Sequence, residues 1–377
     1  MEFIPLSVPI LNGNELKYVN EAVSAGWVST GGAFVPRLEK EFADYAGVTD
    51  AAAVQSGTAA LHLAMIECGV GAGDIVIAPT LTFVAAVNPI KYVGAEPVFM
   101  DCDDSLCIDP DKLECYLIEK CEERDGLLYD IALGKPIKAI VVVHIFGNMA
   151  DMERIMELSE CYCIPVIEDA TEAVGTFYNY GRFNGCMAGT IGDYGAYSFN
   201  GNKIITTGGG GMFVARDAMR VQHAKHLATQ AKSDELYYEH DEIGFNYRMT
   251  NVQAAIGVAQ LEQLEKFIST KQENYFLYKK LGVELLPFDE RVRPNYWFYS
   301  HMTTERDKLM GHLNECNIQT RPVWKLIHTL PMYKDCFVYM IDKAYRYYDN
   351  IVNIPCSSNL SDEDVKRISE LIKNNGS

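Results

Sequence analysis

The residues best placed for chemistry lie in three short segments. In Gln55-Ser56-Gly57-Thr58-Ala59-Ala60 an apolar strand pattern ends and a helical one begins. Small side chains there let backbone come close to an anion, the first N–H groups of a helix have no intrahelical partner, and Thr58 adds a hydroxyl. The same string also fits an ordinary capped helix. In Val166-Ile167-Glu168-Asp169-Ala170, Asp169 falls at the carboxyl end of an apolar run. A buried carboxylate needs a positive partner or it neutralises, and a protonated pyridine nitrogen would be such a partner. Capping of the next helix is the other reading of Asp169. In Tyr197-Ser198-Phe199-Asn200-Gly201-Asn202-Lys203 a strand ends and a turn of small polar residues presents the lysine, and Gly208 to Gly211 precede the next strand. An unprotonated lysine amine attacks an aldehyde, and burial beside cationic groups lowers its pKa. The glycines permit close packing of backbone around a cofactor. A Gly-rich hairpin with a surface lysine accounts for the same residues without chemistry, and the spacing is not that of a P-loop.

Such residues need a framework that brings them together. Up to about residue 215 the chain alternates short apolar runs with helical patterns. The runs predict strands near residues 52–55, 75–78, 97–100, 139–144, 165–168, 194–199 and 211–214, with helices at 58–68 and 152–162. Alternating βα units imply an α/β fold with a mainly parallel sheet covered by helices, and ligands of such sheets bind at the carboxyl ends of the strands. From Asn251 the pattern changes. Val252, Ala255, Ile256, Ala259, Leu261 and Leu264 predict one long amphipathic helix, followed by shorter mixed segments. The last helix is capped by Ser361 with Asp364 at the third position, and Val365, Ile368, Leu371 and Ile372 form its apolar face. The division expected is a large α/β domain over 1–250, including the N-terminal segment, and a smaller α+β domain over 251–377.

Composition narrows the partners. A net charge of −18 argues against nucleic acid, whose phosphates need a basic surface, but not against a small anion held by backbone N–H groups and one lysine. No apolar run approaches the ~20 residues needed to cross a bilayer. Met1-Glu2-Phe3-Ile4-Pro5 does not read as a signal peptide, so a soluble cytoplasmic protein is expected. The 11 cysteines are odd in number and form no CxxC pair, which fits a reduced chain and neither a disulfide framework nor a zinc site. His223 and His226 share a helix-like spacing, but no further ligand candidates cluster with them in the sequence, and no metal is expected.

Taken together, the anion cup, the carboxylate and the lysine have the order and spacing of a fold-type I (aspartate aminotransferase-like) enzyme that uses pyridoxal 5′-phosphate (PLP). More specifically, the chain resembles the sugar aminotransferases of the DegT/DnrJ/EryC1/StrS family over nearly its whole length. The resemblance includes Gly26-Trp27-Val28-Ser29-Thr30-Gly31, Pro79-Thr80-Leu81-Thr82-Phe83, Glu168-Asp169-Ala170-Thr171-Glu172-Ala173-Val174-Gly175, the lysine segment, Gly244-Phe245-Asn246-Tyr247-Arg248-Met249-Thr250-Asn251 and Thr320-Arg321-Pro322. It implies that Lys203 carries the cofactor as a Schiff base and then shuttles protons, and that Asp169 pairs with the pyridine nitrogen. Glu172 would sit near the phenolic oxygen and Phe83 would stack on the ring. Gly57, Thr58, Ala59 and Ser198 would hold the phosphate, and Asn246 would reach it from the other subunit of a homodimer.

Two positions depart from the pattern. Asn200 stands where many members have His, and Gly209 where many have Glu. With the segment around 120–135, these look like a subgroup acting on UDP- or GDP-linked amino sugars of bacillosamine or legionaminic-acid type. The activity implied is transfer of an amino group from glutamate to C4 of a nucleotide-linked 4-keto-6-deoxy hexose carrying a 2-acetamido group, with Arg321, Trp324 and His328 as candidate substrate contacts. A structural role for Trp324 in the core is the alternative. A sugar dehydratase of the same fold would have His in place of Lys203, and a non-catalytic binding protein would have no need of the lysine, the aspartate and the cup.

Overall fold

The structure, a computed structural model, describes residues 2–234 and 236–375. Its centre is a twisted sheet whose strands are buried over most of their length. The first three are β1 (Ala52–Val54), β2 (Ile75–Pro79) and β3 (Glu96–Met100), followed by β4 (Lys135–Val143) and β5 (Val166–Asp169). Then come β6 (Tyr194–Ser198) and β7 (Gly211–Ala215). In space these run β1-β7-β6-β5-β4-β2-β3. Pairing is parallel from β6 to β3, while β7 lies antiparallel to both β1 and β6. Runs such as Ile75-Val76-Ile77-Ala78 and Ala139-Ile140-Val141-Val142 are continuous in apolar residues because helices cover both faces. The sheet therefore matches the mainly parallel α/β expectation strand by strand, with ends displaced by a few residues at most. Cys121–Arg124 and Leu127–Asp130 form a hairpin that attaches to the start of β4.

The C-terminal part holds a three-stranded antiparallel sheet of β8 (Tyr299–Met302), β9 (Arg321–Pro322) and β11 (Ile351–Ile354), with β11 in the middle. Between them, β10 (Phe337–Tyr339) leaves this sheet and adds to the edge of the large one, parallel to β3. The division at residue 250 is also crossed from the other side. The helix Asn251–Leu261 packs its small residues against the large unit: a Cβ on Gly257 would lie 2.8 Å from Leu38 Cδ2 and 2.9 Å from Thr207 Cγ2. Conversely, the N-terminal segment lies along the small sheet, with Ile4 bridged to Ile318 and the Cys356 N–H bonded to the Leu6 carbonyl at 2.9 Å. The single long helix expected from Asn251 is two, Asn251–Leu261 and Leu264–Lys280, broken at Glu262 and Gln263. The last helix, Asp362–Asn375, starts as read: Ser361 Oγ accepts the Asp364 N–H at 3.2 Å, and Asp364 Oδ2 accepts the Ser361 N–H at 3.2 Å.

Candidate active site

The carboxyl ends of β1, β2, β5 and β6 open into one cavity of about 330 Å³. Its wall contains Gly57, Thr58, Phe83, Asp169, Glu172, Ser198, Lys203 and Trp324, eight residues named from the sequence. After β1 the chain turns into the helix Gly57–Glu67, whose N-cap Ser56 accepts the Ala59 N–H at 3.0 Å. That bond engages the Ala59 N–H, so the cup expected over Gly57, Thr58 and Ala59 narrows to the first two, and Ala59 is not part of the wall. Ser56 is. Glycine is required at the start of this helix, because a Cβ on Gly57 would lie 2.8 Å from Thr171 Cγ2 and 3.0 Å from Ser198 Cβ. Gly211 serves the same approach from below: its Cβ would lie 2.7 Å from the Gly57 nitrogen.

Asp169 ends β5 almost fully buried, and its Oδ1 accepts the Thr171 N–H at 3.0 Å. Burial pushes its carboxyl pKa up, against the Thr171 hydrogen bonds and the attraction of Lys203 and His144. Beneath it, Glu168 is held by the Gly189 and Ile191 N–H groups at 2.8 and 2.7 Å and by His144 Nε2 at 2.7 Å. His144 Nδ1 accepts the Ala150 N–H, which assigns the ring proton to Nε2. This second acid of the pair is thus structural, and only Asp169 faces the cavity.

Lys203 Nζ lies 3.8 Å from Glu172 Oε1. Burial drives both groups toward their neutral forms, the lysine down and the glutamate up, and their mutual attraction opposes this. Glu172 Oε2 also accepts the Phe146 N–H at 2.8 Å. Phe146 adopts a left-handed conformation (φ 57°) in the turn after β4, and that turn aims its N–H at the carboxylate. Lys203 stands on a loop pinned at both ends: the Phe199 N–H bonds the Gly210 carbonyl at 2.8 Å, and Gln253 Nε2 bonds the Gly209 carbonyl at 2.6 Å.

An aromatic wall from the C-terminal part closes the other side. Phe83, half exposed, stands 6.0 Å from the Trp324 ring, and Trp324 lies 5.0 Å from Phe146. Trp297 and Phe298, which also line the cavity, stack at 4.0 Å. Sequence reasoning missed Ser56, Trp297 and Phe298. For Trp297, one of three tryptophans, no spacing links it to Lys203; the two meet only through the fold.

Besides Ala59, three expected site residues stand outside this wall. Arg321 is exposed at the start of β9, with Nη1 on the Thr320 carbonyl at 3.1 Å. His328 has both ring nitrogens engaged within the chain, Nδ1 with Thr80 Oγ1 at 2.6 Å and Nε2 with Tyr345 OH at 2.8 Å. Asn246 is exposed, next to Phe245 and Tyr247, whose rings stack at 4.9 Å. Away from the cavity, the expectation that no further ligand candidates cluster with His223 and His226 is corrected. Asp241 and Glu242, just after the strand Glu239–His240, lie against their helix, with Glu242 3.0 Å from His223 Nε2 and Asp241 2.7 Å from His226 Nε2, while Glu67 approaches His223 Nδ1 at 2.6 Å.

Comparison with known proteins gives concordant relatives. The profile of the DegT/DnrJ/EryC1/StrS aminotransferase family matches residues 9–373. The chain is 39% identical to a GDP-perosamine synthase of Escherichia coli O157:H7 over 381 residues, covering 99% of this chain and 98% of that one. A GDP-perosamine synthase of Vibrio cholerae is 37% identical over 385 residues, covering 98% of each. Among solved structures, the aminotransferase TlmJ from Streptoalloteichus hindustanus superposes with a TM-score of 0.88 at 28% identity, covering 99% of both chains.

Proposed function

Since the chain belongs to the DegT/DnrJ/EryC1/StrS aminotransferase family and uses PLP, we propose that it moves an amino group from glutamate to C4 of a nucleotide-linked 4-keto-6-deoxyhexose. At the coarser level it is a sugar aminotransferase of nucleotide-sugar biosynthesis. The observation that carries the aminotransferase reading is the convergence of Lys203, Glu172 and Asp169 on one cavity with a helix N-terminus at its edge; the choice of sugar rests on the relatives' names.

These residues fit the cofactor. The free N–H groups at Gly57 and Thr58, with the Thr58 and Ser198 hydroxyls, suit a phosphate at the helix start. The missing Cβ at Gly57 is what lets that helix start approach Ser198. Asp169 offers a buried carboxylate with a single hydrogen-bonding neighbour, Thr171, suited to a protonated ring nitrogen. Glu172, in the same wall, would share a proton with the phenolic oxygen, and Phe83 would offer a ring face. Bound there, PLP supplies an electrophilic carbon and an electron sink.

The chain's own residues then have distinct tasks. Burial shifts the Lys203 amine toward its neutral, nucleophilic form. Its Nζ removes the proton from the α-carbon of glutamate and, in the second half-reaction, hands one to C4 of the sugar. Asp169 would keep the ring nitrogen protonated. Trp324 and Phe83 flank the mouth and offer apolar faces to the sugar nucleotide. The two relatives' names favour a GDP-linked sugar over a UDP-linked one. Asn246 would complete the phosphate site of a second copy, which requires a homodimer.

The test is the visible absorption spectrum of the PLP-loaded protein. Glutamate should bleach the visible cofactor band, and a keto-sugar nucleotide should restore it. Lys203→Ala should lack both the lysine-bound band and turnover. GDP- and UDP-linked 4-keto-6-deoxyhexoses, with and without a 2-acetamido group, would then be ranked by that recovery. A band indifferent to every amino donor sinks the reading. The dehydratase alternative is disfavoured by the lysine itself.

A further inference from the structure

We propose that Trp297 is a positioning residue for Lys203, holding the amine by its indole face and the adjoining backbone by its indole N–H; this rests on the aminotransferase reading above. The geometry is specific. Lys203 Nζ stands 4.2 Å from the centroid of the Trp297 ring, and Trp297 Nε1 donates to the carbonyl of Asn202, the preceding residue, at 2.8 Å. One side chain thus grips the lysine at its tip and at its root.

Trp297 is itself fixed. Its N–H donates to Asn295 Oδ1 at 2.9 Å, and Asn295 Nδ2 donates to the carbonyls of Glu172 and Val174 at 2.9 and 3.0 Å. Asn295 is fully buried, and Phe298 stacks on the Trp297 ring. The pair Asn295 and Trp297 therefore sets the two partners of the Lys203–Glu172 contact from a single strand of chain. A lysine that alternates between carrying the cofactor and moving protons is repeatedly released as a free amine. When protonated, it has two stabilising neighbours: the Glu172 carboxylate, 3.8 Å away, and the indole face, which attracts the charge without accepting a directed hydrogen bond. The ring thereby favours the ammonium at this place in the cavity wall. The other charged groups facing it are Asp169 in the same cavity and Lys271, which lines a small void behind Lys203 and turns its Nζ to the Cys356 carbonyl.

The two contacts separate by substitution. In the cofactor-free protein, the pH dependence of Lys203 labelling by acetic anhydride is read by mass spectrometry of its peptide, in wild type, Trp297→Phe and Trp297→Leu. Phenylalanine keeps a ring face, so its labelling midpoint should stay with wild type. Leucine removes the face at similar burial, and the midpoint should fall by about one pH unit. An unchanged or raised midpoint for leucine overturns the proposal; Trp297→Met gives the same comparison should leucine fail to fold. The lost indole N–H is read in turnover: Trp297→Phe should lower kcat for the glutamate half-reaction by about tenfold with KM for glutamate within about twofold. Unchanged kcat, or a rise in KM alone, also overturns it. Failure of wild type to respond to glutamate would sink the aminotransferase reading, and the labelling comparison would still decide the role of Trp297.

Discussion

Asp169 and Glu168 are adjacent acids with opposite assignments, and the difference is one of neighbours. Glu168 is saturated by backbone N–H groups and His144, whereas Asp169 receives hydrogen bonds from Thr171 alone and is pushed toward its neutral form by burial. A carboxylate left in that condition is costly unless a cation arrives. Asp169→Asn keeps the shape and can still accept the Thr171 N–H, but it cannot balance a protonated ring nitrogen. The expected result is a fall in kcat on the order of 10²-fold, the scale of a single electrostatic partner at a reacting centre. The cofactor-free Tm should hold or rise, because the burial penalty has gone. A Tm loss with kcat intact would make Asp169 structural. At this scale the sequence was informative where local order carries the meaning. Lys203, Asp169 and Gly57 are legible because strand end, turn and helix start are adjacent in the chain. Trp297 was not, since its meeting with Lys203 depends on how the C-terminal part docks, and Ala59 was over-read because Ser56 takes its N–H.

The elements that hold these residues are short strands ending at one edge, and their sequence signal is strong because burial on both faces leaves uninterrupted apolar runs. The signal fails where tertiary packing decides. Helix periodicity continues across Glu262 and Gln263, so the break there is invisible to it, and Phe337–Tyr339 has no local mark that assigns it to the large sheet. The start of the helix Gly57–Glu67 shows what packing adds. At an ordinary helix start, Gly→Ala would be neutral or stabilising by about 0.5–1 kcal/mol. Here the new methyl meets Thr171 and the rigid Cβ of Ser198, so the helix start must shift away from the cavity. Gly57→Ala should raise the Kd for PLP by about tenfold or more, equivalent to ~1.4 kcal/mol, while the cofactor-free protein melts within a few degrees of wild type. Equilibrium titration with PLP measures the first and a thermal scan the second. An unchanged Kd would show that the close approach at Gly57 has no part in binding the phosphate.

For the whole molecule the informative residues are those the single chain leaves outside. Leu236, Tyr237, Tyr238 and Ile243 are each more than 70% exposed, a run of large apolar groups beside Asn246 that a solitary soluble chain rarely presents. Asn246 is not among the residues that line the cavity of its own chain. In the homodimer proposed above, Asn246 would reach the other copy's phosphate cup, and by symmetry each site would then be built from both chains. That arrangement makes a prediction independent of any single loss of activity. Lys203→Ala and Asn246→Ala should each be impaired as homodimers, the second through weakened PLP binding. In a mixed dimer both defects fall in one site, and the other site has an intact Lys203 and an intact Asn246. Unfolding and refolding equal amounts of the two variants together should therefore return about a quarter of wild-type activity, since about half the dimers are mixed and each has one sound site. If Asn246 served its own chain, both sites of a mixed dimer would carry one defect, and mixing would restore nothing.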